Sequence, residues 1–224
     1  MKKAIVFVGS NNRKSFTKKM IEKIFDNVKT PFEVQYIFPK DLDLKPCLGC
    51  SHCFYKGKCV IKDSSEYLIT LVESCDLFII GSPTYVHHIS SETKKLIDRW
   101  GYLTHCFRFL AKPCLTVAST DSSGASFVNS YLNKVCSFLG FNVISKAHFY
   151  KIDPKLEKEI LRNAQAIDFY FESSHKKVSP ELESVFQTMK MTITPLPEER
   201  FEKIFFNKHN LFDFDTIKDY LDKN

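Results

Sequence analysis

The chain has 224 residues, 44% of them apolar and 14% aromatic, enough to bury a real core in one domain with an appendage but a tight fit for two full domains. Its net charge of +6 comes from lysines scattered among acidic residues along helical stretches, the pattern of solvated faces, which argues against nucleic-acid binding. No stretch approaches the roughly 18 consecutive apolar residues of a membrane span, and the basic-then-apolar start stops at Gly9-Ser10 without a cleavage site, so a cytoplasmic chain with reduced thiols is expected.

Ala4 to Val8 is a continuous apolar run, as expected of a strand buried on both faces. It leads into Gly9-Ser10-Asn11-Asn12-Arg13-Lys14-Ser15-Phe16-Thr17 and then a helix with Met20, Ile21, Ile24, Phe25 and Val28 on one face. Phe32 to Phe38 alternates apolar and polar, as an edge strand does. After a cysteine-rich stretch come a helix face at Leu68, Leu71 and Val72, a strand from Leu77 to Ile80, and a helix face at Leu96, Ile97, Trp100 and Leu103. A strand from Cys114 to Ala118 precedes a helix face at Tyr131, Leu132, Val135, Cys136 and Leu139, which Gly140 ends. Val143 to Phe149 is the fifth strand, followed by a helix with Leu156, Ile160, Leu161, Ala164, Ile167 and Phe171 inward. This alternation predicts an α/β, doubly wound, five-stranded parallel sheet in the order 2-1-3-4-5 over residues 1–172. Residues 173–224 read as a helical extension divided by Pro180, Pro195 and Pro197, with Leu182, Val185, Phe186 and Met189 marking one face.

Ligands of such sheets bind beyond the carboxyl ends of the strands, so three loops carry the functional expectation. The loop after the first strand offers hydroxyls at Ser10, Ser15 and Thr17, the Asn12 amide, and free N–H groups on a helix dipole, a set suited to a phosphate. Ser15 would also serve as an ordinary N-cap. Neither G-x-x-x-x-G-K-[ST] nor G-x-G-x-x-G is present, which disfavours an ATP or dinucleotide site. After the third strand, Gly81-Ser82-Pro83-Thr84-Tyr85-Val86-His87-His88-Ile89-Ser90 gives a backbone along which a planar ring can lie, or else a plain connecting loop with a surface tyrosine. His87 and His88 read as loop-bracing or solvent-facing, and no catalytic acid or base is assigned. Ser119-Thr120-Asp121-Ser122-Ser123-Gly124 is a small-residue loop able to approach a ring edge.

Cys47-Leu48-Gly49-Cys50-Ser51-His52-Cys53, with Cys59 beyond it, gives the sharpest spacing in the chain, C-x2-C-x2-C-x5-C. Three thiols at two-residue spacing and a fourth from the same loop suit a [4Fe-4S] cluster. Zinc, which usually draws ligand pairs from two segments, and a metal-free loop of small hydrophobes remain open. Cys75, Cys106, Cys114 and Cys136 fall on strand or helix patterns and read as core residues.

Taken together, these motifs resemble the iron-sulfur flavoprotein branch of the NAD(P)H-dependent FMN reductase family, which reads G-S-P-R-x-x-S-N-T, C-x-G-C-x-x-C with a fourth cysteine, and G-S-P-x-Y in its three loops. The helix Lys94-Lys95-Leu96-Ile97-Asp98-Arg99 is similar to the family's helix ending in F-I-D-R. The likeness covers about the first 150 residues. Departures are Asn11 and Asn12 for proline and arginine, Phe16 for the second asparagine, and a serine-rich loop after the fourth strand. The resemblance implies a flavodoxin-like, FMN-dependent oxidoreductase. Ser10, Asn12, Ser15, Phe16 and Thr17 would lie at the FMN phosphate. Pro83, Thr84, Tyr85, Val86 and His87, with Ser119, Thr120 and Gly124, would lie along the ring. Cys47, Cys50, Cys53 and Cys59 would hold the cluster. It further implies NAD(P)H or ferredoxin as electron donor, a quinone, flavin or nitroaromatic as acceptor, and a homo-oligomer, dimer or tetramer, for which Trp100, Tyr102, Phe107 and Phe109 offer a surface, although a monomer core would read the same. Rival readings are a non-enzymatic electron carrier or redox sensor on the same fold, and a flavin-free zinc-binding module.

Overall fold

The computed structural model describes residues 1–174 and 177–223. Strand β1 (Lys2–Val8) is central because its apolar run has no polar face to give to solvent: Ala4 to Val8 are fully buried. On one side it pairs in parallel with β2 (Phe32–Ile37), and on the other with β3 (Leu77–Tyr85). The sheet continues through β5 (Pro113–Thr120) to β6 (Asn142–Tyr150), giving the order β2-β1-β3-β5-β6. That is the anticipated 2-1-3-4-5 arrangement, with one added strand of two residues, β4 (His88–Ile89), pairing antiparallel with the end of β3. The two sheet edges differ from the core strands as expected. Both β2 and β6 carry half-buried or exposed positions, whereas the first six residues of β3 are buried.

Helices cover both faces. On one lie α1 (Phe16–Asn27) and α6 (Leu156–Glu172), packing Met20, Ile21, Ile24, Ile160, Ala164 and Ile167 against Val6, Val8, Ile79 and Val117. On the other, α3 (Ser64–Ser74), α4 (Ser91–Arg99) and α5 (Ala125–Phe138) cover Ile5, Phe7, Phe78 and Ile80. Beneath α5, Asn129 accepts from Thr116 Oγ1 at 2.8 Å and donates to the carbonyls of Thr116 and Ala147, satisfying a buried amide and tying two strands together. Between α1 and β2 the turn is held from α6. Asp168 accepts the backbone N–H groups of Lys29 and Thr30, at 3.0 and 2.9 Å, and the Thr30 hydroxyl at 2.9 Å.

The C-terminal region folds into α7 (Pro180–Ile193), α8 (Phe201–Lys208) and α9 (Ile217–Lys223), with Ser179 capping α7. Leu182, Phe186, Met189, Ile193, Phe206, Leu211 and Ile217 form a core of their own, which also takes in Phe107 and Ala111. Phe107 meets Phe186 and Phe206 with ring centroids 5.8 and 6.1 Å away. Of the two readings of Trp100, Tyr102, Phe107 and Phe109, subunit surface or core of the chain itself, the structure shows the second. All four are at most 4% exposed, because the tail and the sheet between them already cover these rings. Among the described residues no helix is long and apolar enough to cross a membrane.

Candidate functional site

At the carboxyl edge of the sheet, the end of β1 meets the end of β3 and the start of α4. The N–H of Gly9 donates to Gly81 O at 2.7 Å, and Ser90 Oγ donates to Gly9 O at 2.6 Å. Ser90 also caps α4 by accepting the Thr93 N–H at 3.1 Å, and its own N–H donates to Ser82 Oγ at 3.0 Å. Only glycine fits at position 9, since a Cβ there would fall 1.8 Å from Thr93 Oγ1. Ser90 closes the loop expected after the third strand, but its capping role, and Thr93, are not evident from the loop pattern itself. The available signal was the capping pattern of Ser90 before Glu92 and Thr93.

From Ser10 the chain turns on itself. The Asn12 N–H donates to Ser10 Oγ at 3.2 Å, the Lys14 N–H to Asn12 Oδ1 at 2.9 Å, and the Ser15 N–H to Asn12 O at 2.9 Å. Ser15 is the N-cap of α1 and accepts from Lys18 N, so one of its two readings is observed directly. Within this first turn the N–H groups of Phe16 and Thr17 have no acceptor among the described residues, and no acidic residue sits in it. A helix start with free N–H groups and no carboxylate favours an anion. The Thr17 and Ser119 hydroxyls, both buried, bond each other at 2.7 Å, so the first and third expected loops are joined directly.

The second expected loop is a hairpin. Thr84 pairs with Ile89 and Tyr85 with His88, and the two residues between them, Val86 and His87, have φ of 48° and 60°. Both central residues in the left-handed region make a type I′ turn, normally the province of Asn-Gly. Val86 is 97% exposed and Tyr85 57% exposed, so the hairpin tip is apolar and open. Gly124 lets the last loop close on it. Its φ is 88°, and a Cβ there would fall 2.9 Å from His87 Nδ1 and 3.0 Å from the Thr84 methyl. His88 meets Tyr131 of α5 in a tilted ring contact at 4.8 Å and His87 approaches Phe127 edge-on at 6.4 Å, so both histidines brace the loop. Thr120 Oγ1 donates to Ser123 O at 2.8 Å and holds the third loop's shape. Thr84 Oγ1 is buried with no partner among the described residues, an uncommon state at a site otherwise well bonded.

The cysteine run lies apart from these loops, on an excursion between β2 and α3 that contains one short helix, α2 (His52–Lys56). Cys47 and Cys50 are exposed and Cys53 and Cys59 half-buried. Burial first, and then the neighbouring sulfurs of Cys59, Cys47 and Cys50, push the Cys53 thiol above its ordinary range, so the four share one neighbourhood. Among the described residues no three His, Cys, Asp or Glu side chains converge at metal-ligating spacing. The donor set nevertheless fits an iron-sulfur cluster in chemistry: four free thiols on one segment, turned by Gly49 and Ser51 in the left-handed region, with the Gly49 N–H donating to Cys47 Sγ at 3.4 Å. On α4, the Lys94 ammonium is held above its ordinary range first by its hydrogen bond to Asp98, with smaller contributions from Tyr131 of α5 and Cys47. The other four cysteines are buried, as the strand and helix patterns indicate. Burial drives the Cys106 thiol up to about 12 and also raises Cys75 and Cys114, making all three inert.

The sheet order, the loops at its carboxyl edge and the capped helix beside them define a flavodoxin-like α/β protein. The chain belongs to the NADPH-dependent FMN reductase family, whose pattern matches residues 2–151 and so spans the whole sheet and all three loops. Among curated relatives, an iron-sulfur flavoprotein of Clostridioides difficile (strain 630) is 24% identical over 191 residues, 81% of this chain and 84% of that protein. An iron-sulfur flavoprotein of Archaeoglobus fulgidus is 32% identical over 98 residues, 43% of this chain and 44% of that one. For three such relatives the match spans less than half of their own length. Among solved structures, an NADH:FMN oxidoreductase in its apo form superposes with a TM-score of 0.59 at 17% identity, covering 81% of this chain and 94% of that one. An oxidoreductase of Corynebacterium diphtheriae gives 0.56 at 16%, covering 75% and 95%. At such identities the likeness speaks for the fold.

Proposed function

We propose that the chain is an FMN-dependent oxidoreductase that takes electrons from NAD(P)H or ferredoxin and delivers them to a small acceptor such as a quinone or flavin, with a [4Fe-4S] cluster held by Cys47, Cys50, Cys53 and Cys59. The observation that carries the flavin part is the junction of the Thr17 and Ser119 hydroxyls. It brings an acidic-residue-free helix N-terminus and the loop ahead of Gly124 to one place beside an open hairpin. FMN, when bound, supplies the electron chemistry, and the protein supplies binding, orientation and shielding.

In this reading the free N–H groups of Phe16 and Thr17, with the Ser10 and Ser15 hydroxyls and the Asn12 amide, hold the phosphate. Pro83 to His87 and Ser119 to Gly124 flank the ring, with the buried Thr84 hydroxyl there lacking a partner among the described residues. The exposed Tyr85 and Val86 exclude water from its face once they close over it. The names of the iron-sulfur relatives and the four-thiol donor set support the cluster.

Anaerobic purification followed by a visible spectrum and iron and sulfide analysis tests both parts. Flavin bands with iron in about fourfold excess over protein are expected. Flavin without iron leaves an FMN reductase whose cysteine loop is empty of metal. Failure to take up FMN even when it is added overturns the reading.

A further inference from the structure

The segment that carries the four thiols leaves and re-enters the fold through a narrow neck. The Ser64 N–H donates to Asp43 O at 2.8 Å, the Asp43 N–H to Ser64 Oγ at 2.9 Å, and the Lys45 N–H to Asp63 Oδ2 at 2.9 Å. Asp63 also caps α3 by accepting the Ser65 N–H at 3.0 Å. One side chain closes this neck from outside. Arg99, at the last position of α4, pairs both its terminal nitrogens with Asp63 and donates from Nη1 to Lys45 O at 3.0 Å. Both side chains of this ion pair are fully buried. From the same nitrogen that bonds Asp63 Oδ1, Arg99 also donates to Cys59 Sγ at 3.4 Å.

A buried ion pair is seldom kept for stability, because desolvation offsets most of its attraction, and its better-attested use is to fix an arrangement. Here the arrangement has two ends. The N-terminus of α4 is bonded through Ser90 to Gly9 and Ser82 at the flavin-side loops, and its C-terminus through Arg99 to both ends of the cysteine segment and to one of its sulfurs. A nine-residue helix is a rigid rod about 13 Å long. We infer that Arg99 is a positioning residue: through the planar fork that Asp63 grips, it anchors the cysteine loop at a fixed distance from the flavin-side loops and supplies a cationic donor to the Cys59 sulfur.

The inference rests on the cluster reading above and adds to it the residue that orients the cluster and tunes its potential. A cationic hydrogen bond to a ligating sulfur stabilises the more negative, reduced state, so its loss moves the potential in the negative direction. Lysine keeps the charge but not the fork, and cannot serve Asp63, Lys45 and Cys59 together.

Two variants test this. One is Arg99→Lys; the other is Arg99→Met combined with Asp63→Asn, which leaves no unpaired buried charge while the asparagine still caps α3. Each is purified anaerobically with FMN and assayed for cooperative melting, iron release to a chelator, and cluster reduction potential. The expected result is cooperative melting and retained flavin, with iron released about 10-fold faster or more and a potential shifted negative, the lysine variant lying closer to wild type. A wild-type rate and potential in both variants would overturn the role of Arg99 while leaving the cluster in place. Wild-type protein that holds no iron would overturn the cluster reading and this inference with it, before any variant is made. Should the double variant fail to fold, the potential and iron release of Arg99→Lys decide the matter alone.

Discussion

The two regions proposed to carry function are built by different means. The flavin-side loops are short, emerge from central strands, and are braced by buried hydroxyls on neighbouring elements, as Thr17 on Ser119 and Ser90 on Gly9. By contrast the cysteine segment leaves an edge strand, keeps Cys47, Leu48 and Cys50 in solvent, and is held at its neck by Asp63 and Arg99 and at α2 by Phe54 against His105 and Tyr55 against Arg200. A site made by the sheet inherits the rigidity of the core, whereas a site made by one stapled excursion can change with little effect on folding. On the proposed reading, redox tuning is thereby separable from fold stability in a way that flavin binding is not.

The largest effect expected from this contrast is at Gly9. Gly9→Val would drive a side chain into Thr93 and the Gly81 carbonyl, which stand 1.8 and 3.0 Å from the position of a Cβ. Such overpacking at the junction of β1, β3 and α4 is expected to cost about 3 kcal/mol in urea denaturation and to abolish FMN binding together with it. A variant of full stability that still failed to bind FMN would show that the two are not coupled there.

Second in size is a pH effect on the sheet side. Burial alone would raise the Asp168 carboxyl, but the Lys29 and Thr30 N–H groups and the Thr30 hydroxyl outweigh it and hold it below the usual carboxylate range. A group depressed in this way contributes stability above its unfolded value near 4, and the contribution is lost as pH falls through the lower folded value. Asp168→Asn is expected to be about 2 kcal/mol less stable at pH 7, with the gap to wild type closing below pH 4. Denaturation series at several pH values measure it, and a gap that is constant with pH would refute the assignment.

Much of this was readable from the sequence, and the exceptions have physical causes. Strands such as Ala4–Val8 and Leu77–Ile80 are buried on both faces and so announce themselves as apolar runs. The helices betray one apolar stripe each, and the doubly wound order follows from their alternation. The β3–β4 hairpin was hidden because Pro83 breaks the strand pattern and Val86-His87 is not a sequence that turns of this type normally use. α2 escaped because five residues cannot show a period. Trp100, Tyr102, Phe107 and Phe109 read equally as subunit surface or core because no local pattern tells a ring covered by a distant helix from one covered by another chain. The cysteine spacing was visible, but the Arg99–Asp63 closure was not, since it joins residues that are 36 apart and individually ordinary.

The hairpin tip gives the third effect, and it has the opposite sign. Val86 is β-branched with φ of 48°, a conformation that costs about 1 kcal/mol or more and is tolerated where it serves a site. Val86→Asn removes that strain, since asparagine accepts the left-handed region, and the variant is expected to gain about 1 kcal/mol in thermal or urea denaturation. If the strained, exposed valine is kept to cover the flavin, the same variant should bind FMN more weakly. Tighter or equal binding would instead make the turn an accident of packing.

Smallest in stability is the replacement of Cys47, Cys50, Cys53 and Cys59 by serine. These side chains are exposed or half-buried and of the four only Cys53 packs against the core, so the unfolding free energy of the iron-free chain should change by less than about 1 kcal/mol. All bound iron should be lost while FMN binding persists, because the Thr17–Ser119 junction and the α1 N-terminus are untouched. Loss of flavin along with iron would mean that the cysteine loop supports the flavin pocket through α4, and the two sites would then have to be counted as one.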